Sequence, residues 1–273
     1  MARNTYGLDL GSYEIKVYDK KQDTIWKEKN VLAVQDKKEI IAIGEDAYQM
    51  YEKTPPDIEV AFPMRDGVIS RFNDMQNLLQ NILKKNRHFS RGAEYVIAVP
   101  TDVTEVQKKA FFDLVIHSNA KAREVNIVER SIADAVGLGI DVQNTTGVMI
   151  INFGGETTEL SVLTEGGIVF NRLLKLGGTT LDQEIVNLVR NSHDFLIGSR
   201  TAEILRQQFD VFNGDSETAF SVAGRDLITG LPMRKTISIT LVRAAFKDTL
   251  LECMKAVRSM LDRTPPEIRK AIY

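Results

Sequence analysis

A single cysteine, Cys253, stands among 273 residues. That excludes an internal disulfide framework and fits a reducing compartment, where a lone thiol at helical spacing reads as a small core residue. No apolar run approaches the ~20 residues that a membrane-spanning helix needs, and the opening MARNTYGLDL lacks an apolar secretory core. The expected location is therefore cytoplasmic. An excess of one charge is also missing: 35 Lys and Arg face 37 Asp and Glu, a net charge of −2. Nothing in that balance favours nucleic acid as a partner, and charge-driven binding is expected only locally. What the chain does have is 43% hydrophobic residues over a length suited to one large domain or two ordinary ones, enough for a globular core.

Alternating or continuous apolar runs predict strands over 6–10, 15–18, 31–34, 40–43, 96–99, 125–128, 148–153, 160–163 and 168–173. Between them, apolar residues at three-to-four spacing predict helices. One carries Phe72, Met75, Leu78, Leu79, Ile82 and Leu83. Another carries Val106, Ala110, Phe111, Leu114 and Val115, after a capping box of Thr104 and Gln107. A second capping box, Thr180 with Gln183, is expected to open a helix through Leu181, Ile185, Leu188 and Val189. A late helix through Val242, Phe246, Leu250 and Val257 is expected to stop before RTPPE, where Pro265 and Pro266 break the pattern. Strands interleaved with helices indicate an α/β protein.

Self-comparison adds one further feature. LDLGSYEIKV (8–17) and INFGGETTELSV (151–162) share one plan: apolar, Asp or Asn, apolar, Gly, small or polar residues, then another strand. Their offset is 152 − 9 = 143 residues. Such a repeat implies two related halves facing each other across a cleft. A tight turn with Gly at its apex gathers backbone N–H groups into an anion-binding nest, and an acid ending the preceding strand can hold hydrated Mg²⁺ against the same phosphates. Asp9, the turn Gly11-Ser12-Tyr13-Glu14 and Lys16 meet both requirements. For either hairpin alone, the competing reading is a glycine that merely turns the chain.

These segments resemble the actin-like ATPase superfamily and, within it, the MreB/Mrl family of bacterial rod shape-determining proteins. YGLDLGS is similar to that family's first phosphate loop, and AIGEDAYQMYEKTPPDIEVAFPMRDGVISRF to its small outer segment. VIAVPTDVTEVQKKA and VERSIADAVGLG resemble the stretches that lead into and form the connecting helix. LIGSRTAEILRQQF and VAGRDLITGLP resemble the second outer subdomain, and DRTPPEIRKAI the last helix before the family's adenosine loop. The likeness covers nearly the whole chain. It implies an α/β actin-like ATPase fold of two related ribonuclease H-like halves, each with a small outer subdomain. Inner subdomain IA would take 1–32 and 72–144, outer IB 33–71, inner IIA 145–181 and 238–273, and outer IIB 182–237.

The resemblance also implies roles. Ser12, Tyr13, Glu14 and Lys16 fall on the first phosphate loop; Gly155, Glu156 and Thr157 fall on the second. Asp9 falls on the acid that organises Mg²⁺ and water, with Asn152 as its counterpart acting through water. Glu129 falls on the catalytic Glu that positions the attacking water, although a solvated carboxylate at a helix start is the plainer alternative. Glu203, Ile204, Leu205 and Arg206 fall on the helix beside the ribose and base. His88 and Phe89 match a loop that dips into the inner membrane face; a locally packed loop aromatic is the alternative. A lone Phe binds membrane weakly, so avidity from a filament would be needed. The implied cofactors are ATP and Mg²⁺. The implied partners are further copies of the chain in homopolymer filaments, the inner membrane surface, and the cell-wall synthesis and elongation machinery.

Three departures from the family qualify this expectation. Asn152 replaces an Asp, keeping shape while losing a charge, so Mg²⁺ would be held less firmly. Glu156 replaces a glycine. If its carboxylate lay ~5 Å from a phosphate charge, the repulsion at an effective dielectric of ~20 would be about 3 kcal/mol, over roughly a hundredfold in affinity; the other placement is outward. Arg130 stands where a proline follows the catalytic Glu. In addition, the family continues beyond RTPPE into an adenosine loop and closing helices, whereas this sequence stops at Tyr273, and the expectation is of a chain cut short. Two functions follow: a nucleotide-dependent cytoskeletal filament, or a degenerate member with impaired ATP binding and hydrolysis that serves as a filament component or regulator. A phosphotransferase or chaperone ATPase is disfavoured by the short outer segment.

Overall fold

The computed structural model describes residues 4–85, 92–165 and 167–272. The chain forms two compact units, Met1–Leu173 with Thr264–Tyr273, and Leu174–Arg263.

The first unit opens with strands β1 (Thr5–Leu10), β2 (Glu14–Asp19) and β3 (Thr24–Lys29), then β4 (Leu32–Gln35), β5 (Glu39–Ile43) and helix α1 (Glu45–Met50). Strand β6 (Ile58–Ala61) and the short pair β7 (Met64–Arg65) and β8 (Val68–Ile69) precede α2 (Phe72–Lys85). Next come β9 (Glu94–Val99), α3 (Glu105–Ile116), β10 (Glu124–Glu129) and α4 (Arg130–Gly137), then β11 (Val148–Phe153), β12 (Thr158–Thr164) and β13 (Gly167–Leu174). A five-stranded sheet runs β10-β9-β1-β2-β3, with β1, β9 and β10 parallel and β1-β2-β3 antiparallel. Separate sheets run β5-β4-β6 and β11-β12-β13. Alternation in β1 buries Tyr6, Leu8 and Leu10, and in β2 Ile15 and Val17, against Leu78, Leu79, Ile82, Phe111 and Leu114 of α2 and α3. Because successive side chains point to opposite faces, Asp9 and Lys16 are turned away from that core.

The second unit takes α5 (Gly178–His193), β14 (Phe195–Leu196), α6 (Ser199–Gln208), β15 (Ala219–Asp226), β16 (Pro232–Ser238) and α7 (Ile239–Arg263). The final helix α8 (Pro266–Ile272) belongs to the first unit. The expected IIB segment, 182–237, falls wholly inside the second unit, whereas the two stretches expected for IIA are divided between units.

The Thr104–Gln107 capping box forms as expected, with the Gln107 backbone N–H donating to Thr104 Oγ1 and the Thr104 N–H to Gln107 Oε1. The Thr180–Gln183 box does not. Helix α5 starts earlier, at Gly178; Thr180 Oγ1 accepts from the Gly177 N–H, and Gln183 bonds Asn187 one turn on. Strands β3, β6, β7, β8, β14, β15 and β16 were not expected from the sequence. Three of the six residues of β3 are charged (Lys27, Glu28, Lys29), as suits a sheet edge, and this hides the apolar alternation.

The GRDLITGLP run forms the β15–β16 turn. Asp226 Oδ1 accepts from the Thr229 N–H at 2.8 Å, the Ile228 N–H at 3.1 Å and Thr229 Oγ1 at 3.0 Å, and Oδ2 accepts from Lys235 Nζ at 3.0 Å. The Thr229 N–H first, and the Lys235 ammonium next, pull the Asp226 carboxyl down to about 2. A depressed acid contributes stability above its unfolded pKa of about 4 and loses it as pH falls through the folded value. Asp226→Asn should therefore lower the melting temperature by a few degrees at pH 7. The penalty should shrink as thermal denaturation is repeated from about pH 4 down towards about pH 2; a deficit constant with pH contradicts the assignment.

Candidate functional site

The two glycine hairpins are built alike. In the first, the Gly11 N–H donates to the Glu14 carbonyl at 3.2 Å, and Asp9 pairs with Lys16 across β1 and β2. In the second, the Gly154 N–H donates to the Thr157 carbonyl at 2.8 Å, and Asn152 pairs with Glu159 across β11 and β12. Every correspondence keeps the same offset, since 154 − 11 and 159 − 16 both equal 143. A Cβ on Gly11 would meet the Glu14 carbonyl oxygen at 2.8 Å, and one on Gly154 the Thr157 carbonyl oxygen at 2.9 Å, so both turns require glycine.

Buried Asn30 braces the first hairpin. Its amide donates to the Gly11 carbonyl at 2.7 Å and its backbone N–H to the Tyr13 carbonyl at 3.0 Å. In a trans peptide the N–H opposes the carbonyl, so the N–H groups of Ser12 and Glu14 point away from Asn30, as an anion nest requires. The Lys29 ammonium sits 3.6 Å from the Tyr13 ring centroid and also contacts its hydroxyl. The two turns then meet: a Cβ on Gly155 would stand 2.6 Å from the Tyr13 Cβ.

A third element joins them. Asp66 (φ 51°) and Gly67 (φ 80°) form the two-residue loop between Arg65 and Val68, the signature of a type I′ hairpin. The Asp66 N–H donates to Glu156 Oε2 at 2.7 Å and the Gly67 N–H to Ser12 Oγ at 3.2 Å. The MRDGVI turn is thus held by one side chain from each glycine hairpin. The Glu156 carboxylate is thereby directed at the Asp66 backbone. Thr157, largely buried, lies beside Gly67.

Charged groups collect at the carboxyl ends of parallel strands β1, β9 and β10, where ligands of open α/β sheets bind. Asp9 and Val128 flank Ala98 in register, and Glu129 ends β10 immediately before α4. Asp9 Oδ2 accepts from Lys16 Nζ at 3.0 Å, and Oδ1 lies 3.4 Å from Arg130 Nη2. Asn152 Nδ2 donates to Asp134 Oδ2 at 2.6 Å. Burial pushes the Asp134 carboxyl above the usual range, against the opposing pull of the Asn152 amide and Arg130. Nearby, buried Glu159 accepts from the Thr101 N–H at 2.9 Å, and the Thr101 and Ser131 hydroxyls are 2.9 Å apart.

Asp134, Thr101, Ser131 and Glu159 were missed from sequence. Two signals were present: the four-residue spacing of Arg130 and Asp134 on one helix face, and the equivalence of Glu159 with Lys16 at the repeat offset. Among the described residues no group of three or more His, Cys, Asp or Glu is arranged to hold a metal ion. Asp9 is engaged by two cations and Asn152 turns its amide nitrogen to Asp134, so these residues as they stand do not fit a resident cation.

In the second unit Arg206 forms a two-pronged pair with Asp182, Nε to Oδ1 at 2.6 Å and Nη2 to Oδ2 at 3.1 Å, which ties α6 to α5. Glu203 is buried and accepts from Gln207, Ile204 is partly exposed, and Leu205 lies in the unit's core. His88 and Phe89 lie outside the described residues.

The profile of the MreB/Mbl protein family matches residues 3–273. The chain belongs to the MreB/Mbl family. It is 33% identical to the cell shape-determining protein MreB of Escherichia coli K12, over all of this chain and 80% of that protein. It is 31% identical to the cell shape-determining protein Mbl of Bacillus subtilis, over 96% and 79%. MreB5 of Spiroplasma citri, solved bound to AMPPNP, superimposes with a TM-score of 0.92 at 30% identity, covering 99% of this chain and 82% of that one. A MamK double helical filament superimposes with a TM-score of 0.81 at 20% identity, covering 99% and 83%, a likeness of fold alone. The α/β fold is thus the actin-like one that the sequence resemblance implied.

Glu156 is the substitution to test in this MreB/Mbl family member. Glu156→Gly removes the acceptor of the Asp66 N–H and should cost about 1–2 kcal/mol of unfolding free energy, whereas Glu156→Gln keeps an accepting oxygen and should stay within about 0.5 kcal/mol of the parent. Denaturant midpoints check this, and equal losses contradict it.

Proposed function

We propose that the chain is an actin-like cytoskeletal protein that binds ATP through the two glycine hairpins, polymerises with itself and helps determine cell shape. The observation that carries the reading is the paired hairpin geometry: two turns of identical hydrogen-bonding plan, in contact at Gly155 and Tyr13. Two adjacent glycine turns suit a polyphosphate rather than a single anion. A relative supports it: MreB5 of Spiroplasma citri is solved with AMPPNP and with ADP. In this reading Ser12, Tyr13, Glu14, Lys16, Gly155, Glu156 and Thr157 surround the phosphates and Glu129 orients the attacking water.

The filament would lie at the inner face of the cell membrane and organise the cell-wall synthesis and elongation machinery, a reading that rests on family resemblance. Among the described residues no helix is long and apolar enough to cross a membrane; in this reading His88 and Phe89 provide a peripheral attachment.

A second reading, a family member with weak hydrolysis that acts as a filament component, is favoured by the hydrogen bond of Asn152 to Asp134 and by the engagement of both Asp9 oxygens. Phosphate release should be slow in the parent and rise about tenfold in the double variant Asn152→Asp with Glu156→Gly; unchanged rate and affinity would remove the hairpin reading. Sedimentation with ATP, with ADP and without nucleotide separates the two functions. More pelleted protein with ATP supports the nucleotide-dependent filament, and equal pelleting in all three supports the component.

A further inference from the structure

Arg130 is not among the residues assigned to the phosphates or the attacking water. It is the first residue of α4, its side chain only 12% exposed, and it reaches back across the sheet end to Asp9. The contact is long, 3.4 Å from Nη2 to Oδ1, and the buried Nε has no hydrogen-bond partner among the described residues. A guanidinium presents a planar fork of donors that matches carboxylate or phosphate oxygens two at a time. Here that fork is under-used, at a point where desolvation makes an unpaired donor costly.

Its neighbours define what would satisfy it. Lys16 supplies a second cation on the other oxygen of Asp9, and that pair is partly exposed, 44% and 33%. The exposed Lys16 pair holds weakly and the Arg130 contact is long, so an arriving polyanion can draw both cations from Asp9. Asn152 brings no charge and directs its amide at Asp134. The cluster of Asp9, Lys16, Arg130, Asp134 and Asn152 therefore carries two fixed cations against two carboxylates, with neither Asp9 nor Asn152 set to gather a metal's water shell.

We propose that Arg130, together with Lys16, is the built-in counter-charge for the nucleotide's phosphates, so that phosphate binding by this chain depends little on a divalent cation. The inference rests on the nucleotide-binding reading. Arg130 is a binding residue: its fork takes phosphate oxygens while Asp9, released, faces water.

AMPPNP is titrated calorimetrically into the full chain in excess Mg²⁺ and in EDTA, for the parent, Arg130→Ala and Arg130→Lys. The quantity read is the ratio of Kd in EDTA to Kd in Mg²⁺. The parent should show a small ratio, and Arg130→Ala a ratio about tenfold or more larger, the loss expected for one charged hydrogen-bonding group. Arg130→Lys, which keeps the charge without the fork, should fall between them. Equal ratios in the parent and Arg130→Ala overturn the proposal. A flat titration of the parent in both buffers overturns the nucleotide reading itself and is distinct from equal ratios. Thermal denaturation establishes that each variant is folded. If Arg130→Ala is not, Arg130→Gln, which keeps length and polarity without charge, is read in its place.

Discussion

The contact between two glycine turns governs the arrangement of the candidate site. Gly155 lies against the Tyr13 side chain so closely that a single added carbon would collide at 2.6 Å. Each hairpin is rigid for its own reasons: the Gly-to-carbonyl bond across each turn, and Asn30 behind the first. The approach locks two ordinary turns against each other. The Asp66–Gly67 loop completes this lock, because its two N–H groups end on Ser12 and Glu156, one from each side. A shift of either hairpin would break bonds in the other two elements.

Electrostatics on this frame differ from those of a metal-gathering carboxylate pair. The two repeat-related strand positions are Asp9 and Asn152, and their cross-strand partners are Lys16 and Glu159, so an acid faces a cation in the first copy and a neutral amide faces an acid in the second. Around Asp9 the cations outnumber what one carboxylate needs. Around Asn152 the nearest acid is Asp134, partly neutralised in tendency by its burial and tied to an amide. Such a site can meet negative charge with side chains, Arg130 among them.

Much of this was legible in the sequence because it is local. The alternation of Tyr6, Leu8 and Leu10 fixes the strand and turns Asp9 away from the core, and the repeat offset of 143 survives as identical turn hydrogen bonds and strand register. The long helices α2, α3 and α7 follow from apolar spacing and, for α3, from its capping box. What was not legible depends on distant partners. The direction of the Glu156 carboxylate is set by a backbone N–H 90 residues earlier in the chain. Arg130 was visible only as an odd residue after Glu129, since its partner Asp9 is 121 residues away. Polar strands such as β3 and β15 carry no clear alternation, and helix α5 begins at a glycine that no capping pattern marks.

The central claim is that the meeting of the hairpins creates the phosphate-binding surface. Gly155→Ala tests it most directly, with Gly167→Ala as the control, because an added carbon at Gly167 meets nothing within 4 Å. Melting temperature and AMPPNP affinity are measured for both variants and the parent. Gly155→Ala should lower the melting temperature by several degrees and weaken AMPPNP binding, while Gly167→Ala changes neither by a comparable amount. A Gly155→Ala chain that keeps both the parent's melting temperature and its affinity would contradict the account.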